Sequence, residues 1–438
     1  MLIVEDSPMS ELPAAVAAAE EIPLALINVN MPELRRWAGY YTENCLQQPG
    51  CTPAMCVNPI WGAGELGESV LLVNGQTRPT ISMAANRWYR WRLLYASGGG
   101  EVIYPTLAGC EVGLLQKDGV YLDSAPRPIK KGYMAAGNRA DWLVRCPSGS
   151  FVFGGVSGSG PKARIGPNWV NDTADFAYVE VKDEGDVAVD IAPFAARRPC
   201  YLANLVDVPT AAPIVLDGRS MYQFSGQSFA GPESYMHEIE VGSVVSMELY
   251  GLHYQNHMGH ILHVHVNPFQ LSEDPLDTFD GYFQAGDWHD TLKGPYGWGR
   301  ETPIKIKMAA DRFTGGQVVH CHYLWHQDRG MMYVMKLSGE EGATFAGAST
   351  QSPGCFKLAE AEKDNMLLPY GGLVSSTKSA ASLAAEPSLR LIRPKAATVP
   401  VAALAVLAVA AAAMVYLRRR SVTLAPADVA EQQVAAMM

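Results

Sequence analysis

Residues 315–337 read GGQVVHCHYLWHQDRGMMYVMKL. Two valines lead into His320, Cys321 and His322, and the loop beyond brings in His326 and then Met331. In a β-strand alternate side chains share a face, so His320 and His322 point one way while Cys321 points the other. One strand thus offers two imidazoles to one side of a sheet and a thiol to the reverse. A chain built around such a strand calls for a β fold, with a second strand to complete each side.

The second strand is HILHVHVNPFQL, residues 260–271. His263 and His265 share a face, and His260, three residues earlier, has the opposite parity. The two strands together define two donor sets. His260, Cys321, His326 and Met331 combine two imidazoles, a thiolate and a thioether, the set that selects copper in blue electron-transfer sites. His263, His265, His320 and His322 form an all-nitrogen set on the reverse face. Cys321 is covalently next to His320 and His322, so the two sets are joined by a short bonded route.

The chain has ten histidines, and none lies in its first 236 residues. His237 and His289 stand alone and read as ordinary packed histidines. His253 and His257 fall in the loop ahead of the second strand. The six around Cys321 are in phase with one another, which chance burial does not produce.

The remaining composition agrees with an all-β fold. The apolar runs are short and bounded by turns, and the 438 residues contain 41 glycines and 29 prolines. The runs SVLLVNGQ (69–76), RWYRWRLLYAS (87–97), GNRADWLVRC (137–146) and SFVFGGV (150–156) form one series. In the second of these Tyr89, Trp91 and Leu93 take one face, with Arg90 and Arg92 on the other. A charged linker, KDEGDVAVD (182–190), precedes a second series: APIVLDGRS, SVVSMELYGL, the two histidine strands and TPIKIKMAA. Two β-sandwich domains, 31–185 and 200–340, are the natural count. The net charge of −10 excludes a nucleic-acid partner that wants a basic face.

Beyond residue 340 the composition turns to Gly, Ser, Ala and Thr, as in a flexible stalk over 341–395. Residues 396–417 are uncharged and end at Arg418, Arg419 and Arg420, which predicts a single transmembrane helix followed by a tail, 418–438. Basic residues flank the span on both sides, so charge does not fix its orientation. Of the eight cysteines, Cys321 goes to the metal set and the others favour disulfides, including within CLQQPGCTPAMC (45–56). A glycosylation sequon lies at Asn171.

The sequence resembles the multicopper oxidases, the family of laccases and ferroxidases. HILHVHVNPFQ is similar to that family's His-Pro-x-His-x-His strand, with Ile261 in place of the proline, and HCHYLWHQDRGMM is similar to its C-terminal motif. LLVNGQTRPT, RWRLLYAS and GNRADWLV look like its middle domain, and the likeness extends over roughly residues 1–340. It implies tandem Greek-key β-sandwiches of cupredoxin type. Residues 1–30, with AAAEEIPLALI, look like the close of a preceding cupredoxin domain. The resemblance also implies that His260, Cys321, His326 and Met331 hold a type 1 copper. His263 would be a type 2 ligand, and His265, His320 and His322 type 3 ligands. In this family one-electron oxidation of a reductant at the first site is coupled to reduction of dioxygen to water at the second.

The family's complete cluster also draws on His-x-His pairs in its first domain, which the N-terminal part of this sequence lacks. The first thirty residues do not read as a signal peptide. An upstream segment missing from the sequence would account for both absences, and the expectation is a single-pass membrane protein with its copper domains extracellular or lumenal. The reductant is a phenol or a metal ion. A metal-ion reductant needs carboxylates beside the first site, for which SEDPLDTFDGY supplies Glu273, Asp274, Asp277 and Asp280, although a solvated acidic loop explains these residues more simply. Asp328 is a candidate for the outer shell of His326. The competing readings are a copper electron-transfer or copper-binding protein without oxygen reduction, and a structural shell without redox chemistry.

Overall fold

The computed structural model describes residues 6, 8–30, 69–99, 102–155, 174–220, 222–252, 260–275, 278–295, 298–299, 301–347 and 355. The chain divides into two compact units, Met1–Leu368 and Pro369–Met438, and all of these residues belong to the first. The predicted span 396–417 and its tail lie outside the described residues, as do Cys45, Cys51, Cys56, Asn171, Asp277, His253 and His257. Among the described residues no helix is long and apolar enough to cross a membrane.

The structure is all-β. Its strands fall into two groups that follow the two series of apolar runs. In the first group a seven-stranded sheet runs in the order Ser69–Val73, Glu20–Asn30, Tyr89–Ala96, Arg139–Arg145, Glu111–Lys117 and Val120–Tyr121, with Arg127–Pro128 also on Glu111–Lys117. A four-stranded sheet, Thr80–Ala84, Ala174–Lys182, Gly149–Gly155 and Pro105–Leu107, accompanies it. Trp91 lies opposite Trp142 across two strands, and both rings meet Phe153 edge-on. Large apolar rings in that geometry supply much of a small core's burial.

Two expectations are corrected here. Glu20–Asn30 is not the remnant of a preceding domain. It is a strand inside the first group's large sheet, parallel to Tyr89–Ala96 and antiparallel to Ser69–Val73. Its alternating apolar residues suit any half-buried strand, and only the long-range pairing says which sheet it joins. Arg90, on the face opposite Trp91, is buried, and Asp141 (2.6 Å) and Asp6 pair with its guanidinium. The stalk begins later than residue 341: Arg312 N–H donates to the Ala343 carbonyl, Thr314 N–H to Glu341, and Cys355 is disulfide-bonded to Cys200. A second disulfide joins Cys110 and Cys146.

The second group holds two five-stranded sheets. One runs Ile214–Asp217, Val244–Tyr250, Ile304–Ala309, Phe269–Leu271, Trp288–His289. The other runs Tyr235–Glu240, Met332–Ser338, Gly315–Cys321, Leu262–Val264, Thr291–Leu292. The stretch 260–271 is therefore two strands rather than one. The break falls where Val266 takes φ +67° and Pro268 cannot donate to a ladder, and the chain crosses from one sheet to the other.

Candidate metal centre

Leu262–Val264 and Gly315–Cys321 pair antiparallel in the register Leu262 to Cys321, His263 to His320 and Val264 to Val319. This register puts His263 directly across from His320, and Cys321 on the face opposite to both. The His322 N–H donates to the Ile261 carbonyl at 2.7 Å, which extends the pairing past the strand end. The chain then turns into a short helix, Leu324–Asp328, that carries His326. Gly330, at φ +105°, reverses it, and Met331 N–H returns to the His326 carbonyl (3.0 Å).

On one face His260, Cys321 and His326 converge, all buried. The Cys321 Sγ lies 3.6 Å from His260 Nδ1 and 3.7 Å from His326 Nδ1, and the two nitrogens are 2.9 Å apart. Met331 is fully buried alongside. A side chain at Gly218 would stand 3.4 Å from Met331 Cε and 3.6 Å from His260 Cδ2, so this glycine walls the site closely. Gly251, at φ +78°, has its Cβ position only 2.3 Å from the Gly218 carbonyl carbon, which lets the two backbones touch.

Burial, reinforced by the Lys293 and Arg329 charges, pushes the His326 imidazole down to about 4, so it is neutral at ordinary pH. Burial also pushes the Cys321 thiol up to about 11. A cation held between these atoms would displace the thiol proton and would find the His326 imidazole neutral and ready to donate. Two imidazoles, a thiol and a neighbouring thioether, buried and converging, fit copper.

On the opposite face His263, His265 and His320 bring their donor atoms within 4.8 Å of one another. His265 Nε2 and His320 Nε2 are 3.2 Å apart. His320 Nδ1 faces the Cys321 carbonyl at 3.1 Å; a carbonyl only accepts, so Nδ1 bears the hydrogen and Nε2 is left bare. Burial, together with the neighbouring histidines, pushes His320 down to about 4. The His322 ring stands further out, 5.5 Å from His263 and 5.8 Å from His320, and is not part of the converging three. His265 is exposed, so this cluster is open on one side.

The other sequence candidates fall elsewhere. Glu273 pairs with Lys305 (3.1 Å), Asp280 with Lys131 (2.9 Å), and Asp274 accepts the Ala285 N–H. Asp328 is exposed beside Gln327 rather than behind a ligand. His289 is buried against Phe269 and Phe283 with Nδ1 3.3 Å from Asp118, and His237 packs on Tyr333. The residues that do stand behind a histidine of the cluster are Asp290 and Thr291. The Asp290 carbonyl and the Thr291 Oγ are each 2.9 Å from His263 Nδ1. Nothing in WHDTLKG marked them, since their role depends on a partner strand nearly thirty residues away in sequence.

Residues 207–340 match the model of the multicopper oxidase family. Solved structures with the same fold include a multicopper oxidase from Campylobacter jejuni described as a metallo-oxidase. It is 17% identical with a TM-score of 0.50, over 74% of this chain and 65% of that one. The multicopper oxidase of the hyperthermophile Aquifex aeolicus is 20% identical with a TM-score of 0.52, over 74% and 66%. A laccase-like multicopper oxidase from Ochrobactrum sp. is 17% identical with a TM-score of 0.50, over 73% and 67%. The chain thus spans about two thirds of the length of these proteins, 65% of the first. No curated protein matches the chain in sequence.

Proposed function

We propose that this chain is a copper-dependent oxidase that takes electrons one at a time from a small reductant, a phenol or a metal ion, and passes them to dioxygen. The observation that carries the reading is the buried convergence of His260, Cys321 and His326 beside Met331, with a histidine cluster on the reverse of the same strand. Copper held at the first site supplies a one-electron acceptor. The protein's part is to exclude water from that site, to hold the donors in place, and to join the two sites through the backbone on either side of Cys321. Type 1 ligation by His260, Cys321, His326 and Met331, type 2 by His263, and type 3 by His265, His320 and His322 belong to this proposal.

A phenol suits the site better than a metal ion, because the described acidic residues of 272–282 are occupied by lysines or by their own loop. Among similar proteins, the Campylobacter jejuni one is titled a metallo-oxidase, and the Ochrobactrum sp. one is titled for oxidase activity towards lignin model compounds. A second reading, electron transfer or copper binding without oxygen reduction, is favoured by the openness of the histidine cluster at His265. We also propose attachment to a membrane through 396–417, with the domains on an oxidising side; the two disulfides support that side.

The test is copper loading of the full chain with visible absorption, metal content at each site and oxygen uptake. Copper at both sites with oxygen uptake supports the oxidase. Copper confined to the Cys321 site without uptake favours electron transfer. Cys321→Ser is expected to abolish the intense thiolate–copper absorption; a loaded wild-type chain lacking that absorption overturns both readings.

A further inference from the structure

Three consecutive residues of the first strand group reach the histidine cluster of the second. Gly137 has φ +89°, and a Cβ there would lie 2.9 Å from His322 Nε2. The missing side chain is therefore the room that the imidazole occupies. Asn138 is buried; its side-chain amide donates to the Thr291 carbonyl (2.8 Å), and its Oδ1 accepts the Ala135 N–H (2.9 Å). Arg139 grips the Asp290 carboxylate with both terminal nitrogens, Nη1 to Oδ1 at 2.7 Å and Nη2 to Oδ2. Such a paired fork is the most directional contact a carboxylate can receive.

The chain of contacts continues to a cluster histidine. The Thr291 hydroxyl donates to Asp290 Oδ1 (2.8 Å), so its hydrogen points away from His263 and its oxygen presents a lone pair to Nδ1. The Asp290 backbone carbonyl, also 2.9 Å from Nδ1, can only accept. Both neighbours of Nδ1 are acceptors, so the hydrogen of neutral His263 sits on Nδ1. Nε2 is then the bare nitrogen with which His263 can join His265 and His320.

We propose that the turn Gly137–Asn138–Arg139 is a positioning element for the histidine cluster. Through Asp290 and Thr291 it fixes the tautomer and orientation of His263, and it provides the space that seats His322. The proposal rests on reading that cluster as a metal site. The Cys321 site, by contrast, takes all its donors, His260, Cys321, His326 and Met331, from the second group. Changes in the turn therefore separate the two sites, and the Cys321 site becomes an internal control.

Two measurements on the full chain test this. In the first, histidine-selective nitrogen-15 NMR of the metal-free protein reads the His263 tautomer. Wild type is expected wholly as the Nδ1–H form, with Arg139→Ala and Thr291→Val showing a mixture and Arg139→Lys restoring much of the wild-type signal. In the second, copper titration reads each site. Arg139→Ala is expected to weaken the histidine cluster by roughly 10–100-fold, the usual effect of removing an outer-shell partner, while the Cys321 absorption is unchanged. Gly137→Ala should act in the same way by crowding His322. An unchanged tautomer and cluster affinity in Arg139→Ala overturns the proposal. So does equal loss at both sites, which makes the turn a general support. If the wild-type cluster takes no copper, the metal reading fails, and the tautomer measurement still decides whether the turn positions His263.

Discussion

His326 and His320 carry the protein's most consequential protonation states. Burial holds both near 4, against about 6.5 for a free imidazole. Between those values the unfolded chain binds protons that the folded chain refuses, so stability rises with pH across the window and falls as pH drops through it. Above about 6.5 both states are neutral at these residues and the effect vanishes. The urea midpoint of the metal-free protein is thus expected to fall between pH 7 and pH 4.5. In His326→Leu, which removes one of the depressed imidazoles, the same pH change should move the midpoint less. An equal slope in wild type and variant would place the titrating groups elsewhere. Bound metal would extend the dependence to lower pH, because a coordinated nitrogen has no lone pair to offer a proton while the unfolded chain still takes one.

At the scale of strands, the donor sets were legible because parity is local. The order His-Cys-His assigns faces without any knowledge of the fold, and the register of His263 against His320 agrees with that assignment. Glu20–Asn30 was misread because alternation tells only that a strand is half-buried, not which strand it pairs with. The glycines that let strands approach were not legible either. Gly251 looks like any turn glycine in ELYGLHY, yet its backbone lies on that of Gly218, which in turn walls Met331 and His260. Gly251→Ala imposes a left-handed backbone on a residue with a Cβ, at about 1–2 kcal/mol, before any displacement of Gly218. The expected result is a lower thermal midpoint together with weaker copper binding at the Cys321 site and unaltered binding at the histidine cluster. A lower midpoint with unaltered binding at both sites would show that Gly218 does not transmit the displacement to Met331 or His260.

For the molecule as a whole, the question is what holds the two strand groups together closely enough for one to position a cluster in the other. Apolar contact contributes through Tyr133, whose ring meets Phe279 and Phe283 at 5.1 Å and whose hydroxyl donates to the Gly294 carbonyl. The less expected part is a buried charge set. Lys117 lies 2.8 Å from Asp287, and Arg127 takes both oxygens of the same carboxylate at 2.9 and 2.7 Å. Lys117 also sits over the rings of Tyr282 and Phe283 at 4.2 and 4.4 Å. None of this could be read from sequence, because the partners are 160 or more residues apart and a lysine in EVGLLQK looks like a solvent-facing strand residue. Burial pushes Lys117 down to about 8 despite the pull of Asp287. Burial would raise Asp287, but Lys117 and Arg127 hold it at about 2. Asp287 thus faces two cations, with Asp118 adding a further negative charge near Lys117, and the members of the set are not equivalent. Asp287→Asn removes the carboxylate that both cations share and is expected to cost about 3–5 kcal/mol, the usual consequence of breaking a buried ion pair. Lys117→Met keeps the two-pronged Arg127–Asp287 contact and replaces a buried ammonium with an apolar chain of similar length, so it should cost less. Urea denaturation of the full chain orders the two. If Lys117→Met proves as damaging as Asp287→Asn, charge balance does not hold the groups together, and the contacts of Lys117 with the Tyr282 carbonyl and with the Tyr282 and Phe283 rings are left as the source of the stability.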